Sequence, residues 1–143
     1  MSLLATKSLS FVLGSFFTFA GVSKTSDIHG VETSMSNEMQ GGFKSGDWSR
    51  IFGLPAMPFL YTVGISEIVS GLVLLGFSTG LVKNSMYAQW AAAGSAFITL
   101  NATSAHVVRG DPKEAIGFCT TLCSLFTVLN FAIASSRSKA KGE

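Results

Sequence analysis

The chain has 143 residues, of which 48% are hydrophobic and 13% are charged, and its formal net charge is +2. Soluble domains carry about 25% charged residues, so this chain lacks the polar surface that keeps a globular protein in water. The composition excludes a disordered segment and an ordinary cytosolic enzyme. The small surplus of positive charge also excludes a nucleic-acid partner.

Four apolar stretches are long enough to cross a bilayer, which needs about 20 apolar residues per helix. They run over about residues 5–23, 57–82, 86–108 and 115–135. We expect an all-α integral membrane four-helix bundle that occupies residues 1–143 as a single domain in the lipid bilayer. The first stretch also resembles a signal peptide, with Lys7 before an apolar core, but three further spans favour a retained helix that completes an even bundle.

The distribution of lysine and arginine predicts the orientation. Each side of the predicted bundle carries five of these residues. The side with the two termini and the loop between the second and third spans has the shorter segments, and therefore the higher density of positive charge. We expect both termini to lie in the cytosol.

The polar stretch between the first two spans, residues 24–54, ends in a segment of amphipathic character. Trp48 and Phe52 lie four residues apart in it, among charged side chains. This pattern indicates a short interfacial helix that these two aromatic residues anchor at the headgroup level. The alternative is a loop whose aromatic side chains plug the mouth of the bundle.

Glu67 is the candidate functional residue, because an unpaired carboxylate inside a span costs roughly several kcal/mol. Antiparallel packing would bring Lys24, at the end of the first span, beside the start of the second span, so Lys24 is the first candidate partner. His106, near the end of the third span, is the second. We interpret Glu67 as part of a buried ion pair or polar network that fixes helix packing; a proton- or ligand-binding role is the alternative.

Small residues predict where helices approach closely. Gly64 and Gly71 lie about one turn before and one turn after Glu67, and the third span carries Ala92 and Ala96, which are four residues apart. Small residues at such spacing are typical of helix-packing faces in membranes.

The chain contains no phosphate-binding glycine loop, no catalytic triad and no metal-ligand spacing. Cys119 and Cys123 lie one turn apart on one predicted helix, which is poor geometry for a disulfide, and we expect both to fill the core. We therefore expect no catalytic residue, no metal and no cofactor.

Several pieces of the chain resemble the DoxX-like superfamily. They are the aromatic–glycine–lysine end of the first span (Phe19, Gly21, Lys24), the glutamate–glycine pattern of the second (Glu67, Gly71, Leu74), and the turn Gly110-Asp111-Pro112. Within that superfamily, their order and spacing are most similar to the transmembrane protein 35 group, which includes the nicotinic acetylcholine receptor chaperone. The resemblance implies a four-helix bundle in the endoplasmic reticulum membrane that helps to assemble multi-subunit receptors.

Together, these observations predict a non-enzymatic membrane protein that binds other integral membrane proteins. It would act as an assembly chaperone or as an accessory subunit, and homo-oligomerisation stays open. The alternative is a redox component, because other DoxX-like proteins are tied to quinone or sulfur chemistry. In that alternative, Glu67 and His106 would handle protons beside a lipid-soluble carrier.

Overall fold

The structure, a computed structural model, describes residues 1–30, 37, 53 and 55–141. Within these residues the chain forms four long helices and one short helix: α1 (Leu3–Lys24), α2 (Ser26–His29), α3 (Ala56–Thr79), α4 (Ser85–Arg109) and α5 (Lys113–Lys141). This part of the chain contains no strand. The predicted all-α helical bundle is confirmed. The predicted interfacial anchors, Trp48 and Phe52, lie outside the described residues.

Capping residues set the helix boundaries. The side chains of Ser2 and Asn84 each accept a hydrogen bond from a backbone N–H in the first turn of the helix that follows. Gly80 and Gly110 end α3 and α4 in the left-handed conformation, with φ of 86° and 69°. Because this conformation at Gly80 ends the helix, α3 stops at Thr79 rather than at residue 82, the predicted end of the second span.

The bundle consists of two closely packed helix pairs. α1 packs chiefly against α3, and α4 packs chiefly against α5, whereas fewer contacts join α3 to α4 and α1 to α5. Consecutive long helices run antiparallel. The N-terminus, the turn at residues 80–84 and the last turns of α5 therefore share one end of the bundle, the terminal end. The end of α1, the start of α3 and the turn at residues 110–112 share the other, the loop end.

The core combines large side chains with small ones from the four long helices. Its buried members are Leu13, Phe17, Leu74, Phe77, Ala88, Ala92, Leu122, Phe126, Leu129 and Ile133. The rings of Phe17 and Phe126 meet edge to face with their centroids 4.4 Å apart, which joins the α1–α3 pair to the α4–α5 pair.

The outside of the bundle is apolar. By length and composition, α1, α3 and residues 113–138 of α5 can each cross a membrane. α4 has 25 residues, which is long enough, but it is less apolar than these three helices. Its outer face nevertheless exposes large hydrophobic side chains, among them Trp90, Phe97 and Leu100.

Candidate functional site

A buried ion pair joins α1 to α3 in the loop-end half of the bundle. The ammonium of Lys24, the last residue of α1, donates a hydrogen bond to Glu67 Oε2 at 2.7 Å. The side chain of Lys24 is 12% exposed and that of Glu67 is 7% exposed. The structure thus brings together the two residues that antiparallel packing favoured in the sequence. A charge pair so well enclosed is neutral as a unit, and removal of either partner would leave an uncompensated charge.

Glycine makes room for this pair. A Cβ atom added to Gly64 would lie 3.0 Å from Lys24 Cβ and 3.1 Å from the carbonyl oxygen of Gly21. These separations are tighter than ordinary van der Waals contact, so the lysine stem can cross α3 at this position because Gly64 has no side chain.

The same close approach recurs two turns further along the helices. Gly14 and Gly71 face each other, since a Cβ on Gly14 would lie 2.8 Å from the carbonyl oxygen of Gly71. Two glycines seven residues apart on α1 therefore meet two glycines seven residues apart on α3. We call Gly14, Gly21, Gly64 and Gly71 the glycine contact. Sequence reasoning identified its α3 half but missed Gly14, for which the seven-residue spacing from Gly21 is the available signal.

His106 lies in a different cluster. Its Nδ1 is 2.7 Å from Asp111 Oδ2, and Arg109 Nε is 3.6 Å from the same oxygen. This cluster fastens the end of α4 to the turn that leads into α5. Within the described residues, the carboxylate beside His106 is thus that of Asp111, and the second candidate pairing, of His106 with Glu67, is not the one that the structure has.

A comparison with known protein families shows which family this chain belongs to. The DoxX-like family matches residues 8–129, a range that begins in α1, contains Lys24 and Glu67, and ends in α5. The chain belongs to the DoxX-like family. A comparison with curated proteins finds no match. Family membership and three helices of spanning length and composition make this DoxX-like chain an integral membrane protein.

The packing residues predicted on α4 of this DoxX-like protein face the core of the bundle. Ala92 is fully buried, and Ala96 is partly buried against the core. Cys123 Sγ lies 3.5 Å from the carbonyl oxygen of Ala96. Cys119 and Cys123 are free thiols of intermediate burial, so both lie at the edge of the core rather than in its centre.

The hydroxyl groups of the bundle are mostly satisfied within their own helices. Thr18 Oγ1 donates to the carbonyl oxygen of Gly14 at 2.9 Å, and Thr25 Oγ1 donates to that of Gly21 at 3.0 Å. In the part of the chain that the structure describes, no group of three or more His, Cys, Asp or Glu residues is placed to hold a metal ion. The Lys24 ammonium thus lies beside the carboxylate of Glu67, and this pair joins α1 to α3.

Proposed function

We propose that this DoxX-like chain is a non-enzymatic membrane protein that binds other integral membrane proteins through α5. The observation that carries the proposal is the exposure of this helix. Only 17% of the 18-residue apolar stretch of α5 is buried inside the bundle, whereas 33% of the corresponding stretch is buried in α1 and in α3.

The exposed face of α5 has the composition of a helix–helix interface. Gly117, Thr120, Thr121 and Ser124, which we call the α5 strip, are all exposed. A Cβ on Gly117 would meet nothing within 4 Å. Small and hydroxyl-bearing residues are enriched where membrane helices contact each other, because they allow close approach and interhelical hydrogen bonds.

The hydroxyls of the α5 strip are compatible with lipid before a partner binds. Thr120, Thr121 and Ser124 donate to carbonyl oxygens four residues earlier at 2.8, 2.8 and 2.9 Å, respectively. Their oxygen atoms can still accept a hydrogen bond. A neighbouring helix could therefore use the strip without first breaking a bond within α5.

The resemblance to the transmembrane protein 35 group supports a more specific cellular role for this binding function. It supports residence in the endoplasmic reticulum membrane and a role in the assembly of multi-subunit receptors, with an accessory subunit as the other form of the same activity. The density of lysine and arginine supports cytosolic termini. Short turns join α4 to α3 and α5, and this connection supports α4 as a fourth span.

The redox alternative has less support. It requires Glu67 and His106 to handle protons together, whereas the described residues pair Glu67 with Lys24 and His106 with Asp111. A binding function agrees better with this separation.

The test compares bulky substitutions on two exposed glycines. Gly117→Leu should lower the capture of membrane partners, after in-cell cross-linking and purification in mild detergent, by about tenfold, a loss of about 1.4 kcal/mol. Gly94→Leu on α4 is the matched control, since a Cβ there also meets nothing within 4 Å, and capture should be unchanged.

Two further measurements complete this test. Co-expression of two differently tagged copies distinguishes a second copy of the chain from other partners, and thermal unfolding in detergent checks that both variants fold. The proposal fails if the wild-type chain purifies alone at every stage of biosynthesis, or if both leucine variants lose partners equally.

A further inference from the structure

A cavity lies between α4 and α5 in the half of the bundle that contains the terminal end. Its volume is about 250 Å³. Four residues of α4 and two of α5 line it: Met86, Gln89, Trp90, Ala93, Asn130 and Arg137. Two amides and a guanidinium therefore border one space, together with apolar side chains of α4. The α5 strip does not contribute to this lining.

The three polar side chains of the cavity are without partners among the described residues. In this part of the chain, Gln89, Asn130 and Arg137 make no side-chain hydrogen bond and no ion pair. Asn130 also lies inside the segment of α5 that can cross a membrane, where hydrocarbon offers an amide group no hydrogen-bond partner. A ligand that pairs with these side chains would supply bonds that the described part of the chain does not.

These side chains offer hydrogen-bond donors to the cavity. Asn130 Oδ1 is buried, so Nδ2, a donor, is the only polar atom of this side chain that can face the cavity. A guanidinium has only donors, and the amide of Gln89 can turn its NH2 group inward. Because helical side chains lean toward the N-terminus of their helix, Arg137 can reach back toward Asn130, two turns earlier. The ligand must therefore supply acceptors and, opposite Arg137, a negative charge.

The rest of the cavity is apolar and continues along α4. Met86, Trp90 and Ala93 supply its apolar lining. Trp90 is 71% exposed, and Phe97, seven residues further on and hence on the same face of α4, is 67% exposed. An apolar chain that leaves the cavity beside Trp90 can thus continue along Phe97, away from the terminal end of the bundle. The lining therefore fits an amphiphilic ligand.

We propose that this cavity binds the carboxylate of a single-chain amphiphile such as a fatty acid. Arg137 donates two parallel hydrogen bonds to the carboxylate, and Gln89 Nε2 and Asn130 Nδ2 donate to its remaining lone pairs. A cavity of about 150 Å³ admits benzene, so this larger cavity holds a carboxylate and the first methylene groups of its chain. A diacyl phospholipid would instead bring a branched glycerol and two chains into the same space.

The test uses the full chain with Trp48→Phe, purified in a neutral detergent, so that Trp90 is its single tryptophan. The probe is ω-bromohexanoate, whose bromine quenches the fluorescence of a nearby indole. At alkaline pH, where the acid is ionised, this quenching should saturate. Dodecanoate should displace the probe about tenfold more effectively than dodecanol, which has the same chain without the charge. Acetate, which has the charge without the chain, should not displace it at the same concentration.

Two pairs of variants locate the site. Arg137→Gln should weaken the binding of dodecanoate about tenfold and leave that of dodecanol unchanged. Lys83→Gln, which removes an equal charge from the turn at the same end of the bundle, should leave both unchanged. Ala93→Leu fills the cavity and should abolish the quenching, whereas Gly94→Leu, whose Cβ meets nothing within 4 Å, should not. Thermal unfolding in detergent checks that each variant folds.

Four results would overturn the proposal. Equal displacement by dodecanoate and dodecanol would exclude recognition of the carboxylate. An equal effect of Arg137→Gln and Lys83→Gln would reduce the binding to surface charge. Quenching that persists in Ala93→Leu would place the ligand outside the cavity. Displacement by acetate as effective as that by dodecanoate would identify a small soluble carboxylate, rather than an amphiphile, as the ligand.

Discussion

Glu67 can be accommodated in the middle of α3 because two conditions hold at that residue. Lys24 supplies the opposite charge at 2.7 Å, and Gly64 lets the stem of that lysine pass close to the backbone of α3. Charge and space are therefore linked, since a side chain at residue 64 would push Lys24 away from the carboxylate.

A pair of substitutions tests this coupling. Lys24→Met leaves the carboxylate of Glu67 buried without a partner, and we expect a loss of about 3–5 kcal/mol of stability. The double variant Lys24→Met, Glu67→Met replaces both charges by apolar groups and should recover most of that loss. Unfolding in mild detergent gives the free energies of these two variants and of the second single variant, Glu67→Met. If the double variant is as unstable as the sum of the two single variants, the residues do not stabilise each other.

Sequence could predict the Lys24–Glu67 contact but not the place of His106. The end of α1 and the start of α3 are adjacent in any antiparallel hairpin of helices, so depth alone brings Lys24 near Glu67. Depth also allowed His106 to reach Glu67. His106 instead pairs with Asp111, five residues later, because the left-handed Gly110 turns the chain back against the last turn of α4.

At the scale of elements, the two helix pairs are packed by different means. α1 and α3 meet through the glycine contact, where backbone touches backbone. The α4–α5 pair combines small residues with large ones, since buried Ala88 and Ala92 share a cluster with Leu122 and Phe126. Both solutions suit a membrane, where close packing and dispersion rather than water exclusion hold helices together.

The glycine contact predicts an unequal response to one added methyl group. Gly71→Ala places a Cβ against backbone atoms of α1, at 2.6 Å from the nitrogen of Thr18 and 2.7 Å from the oxygen of Gly14. Because backbone cannot rotate away, we expect a loss of about 1–3 kcal/mol.

The matched control is Gly94→Ala, whose Cβ meets nothing within 4 Å and whose helix propensity improves. Its melting temperature in detergent should equal or exceed that of the wild-type chain. Equal melting temperatures for Gly71→Ala and the wild type would mean that α1 and α3 are not in close contact in the membrane.

The bounds of the four long helices were predictable to within a few residues, and the exceptions have physical causes, whereas the short helix α2 was not predicted. Gly80 ends α3 before the apolar stretch ends, because a left-handed glycine stops a helix whatever the hydropathy beyond it. α5 continues past residue 135 to Lys141, since lysine, arginine and alanine are good helix formers outside the membrane as well. Apolar length predicts where lipid is, not where a helix ends.

At the scale of the whole molecule, α4 decides the topology. It is less apolar than the other long helices, yet it joins α3 to α5 through short turns and packs against both. If α4 crosses the bilayer, the turns at residues 80–84 and 110–112 must lie on opposite sides.

Cysteine labelling tests this topology. In a background without Cys119 and Cys123, we expect a membrane-impermeant maleimide to label Lys113→Cys from the outside or lumen of sealed membranes. Lys83→Cys and Ser138→Cys should react only after permeabilisation, since the termini are expected in the cytosol. Labelling of Lys83→Cys and Lys113→Cys from one side would show that α4 does not span the membrane.

The position of the two partners along the chain has a consequence for biogenesis. A ribosome makes Lys24 well before Glu67, and a lysine at the end of a helix can keep its ammonium at the bilayer surface while its stem is in lipid. We therefore expect Lys24 to be in the membrane before α3 leaves the translocation channel, so that its ammonium can pair with Glu67 as α3 inserts. Glu67 lies in the middle of its helix and cannot reach the bilayer surface. This order of insertion would keep its carboxylate from contacting lipid without a partner.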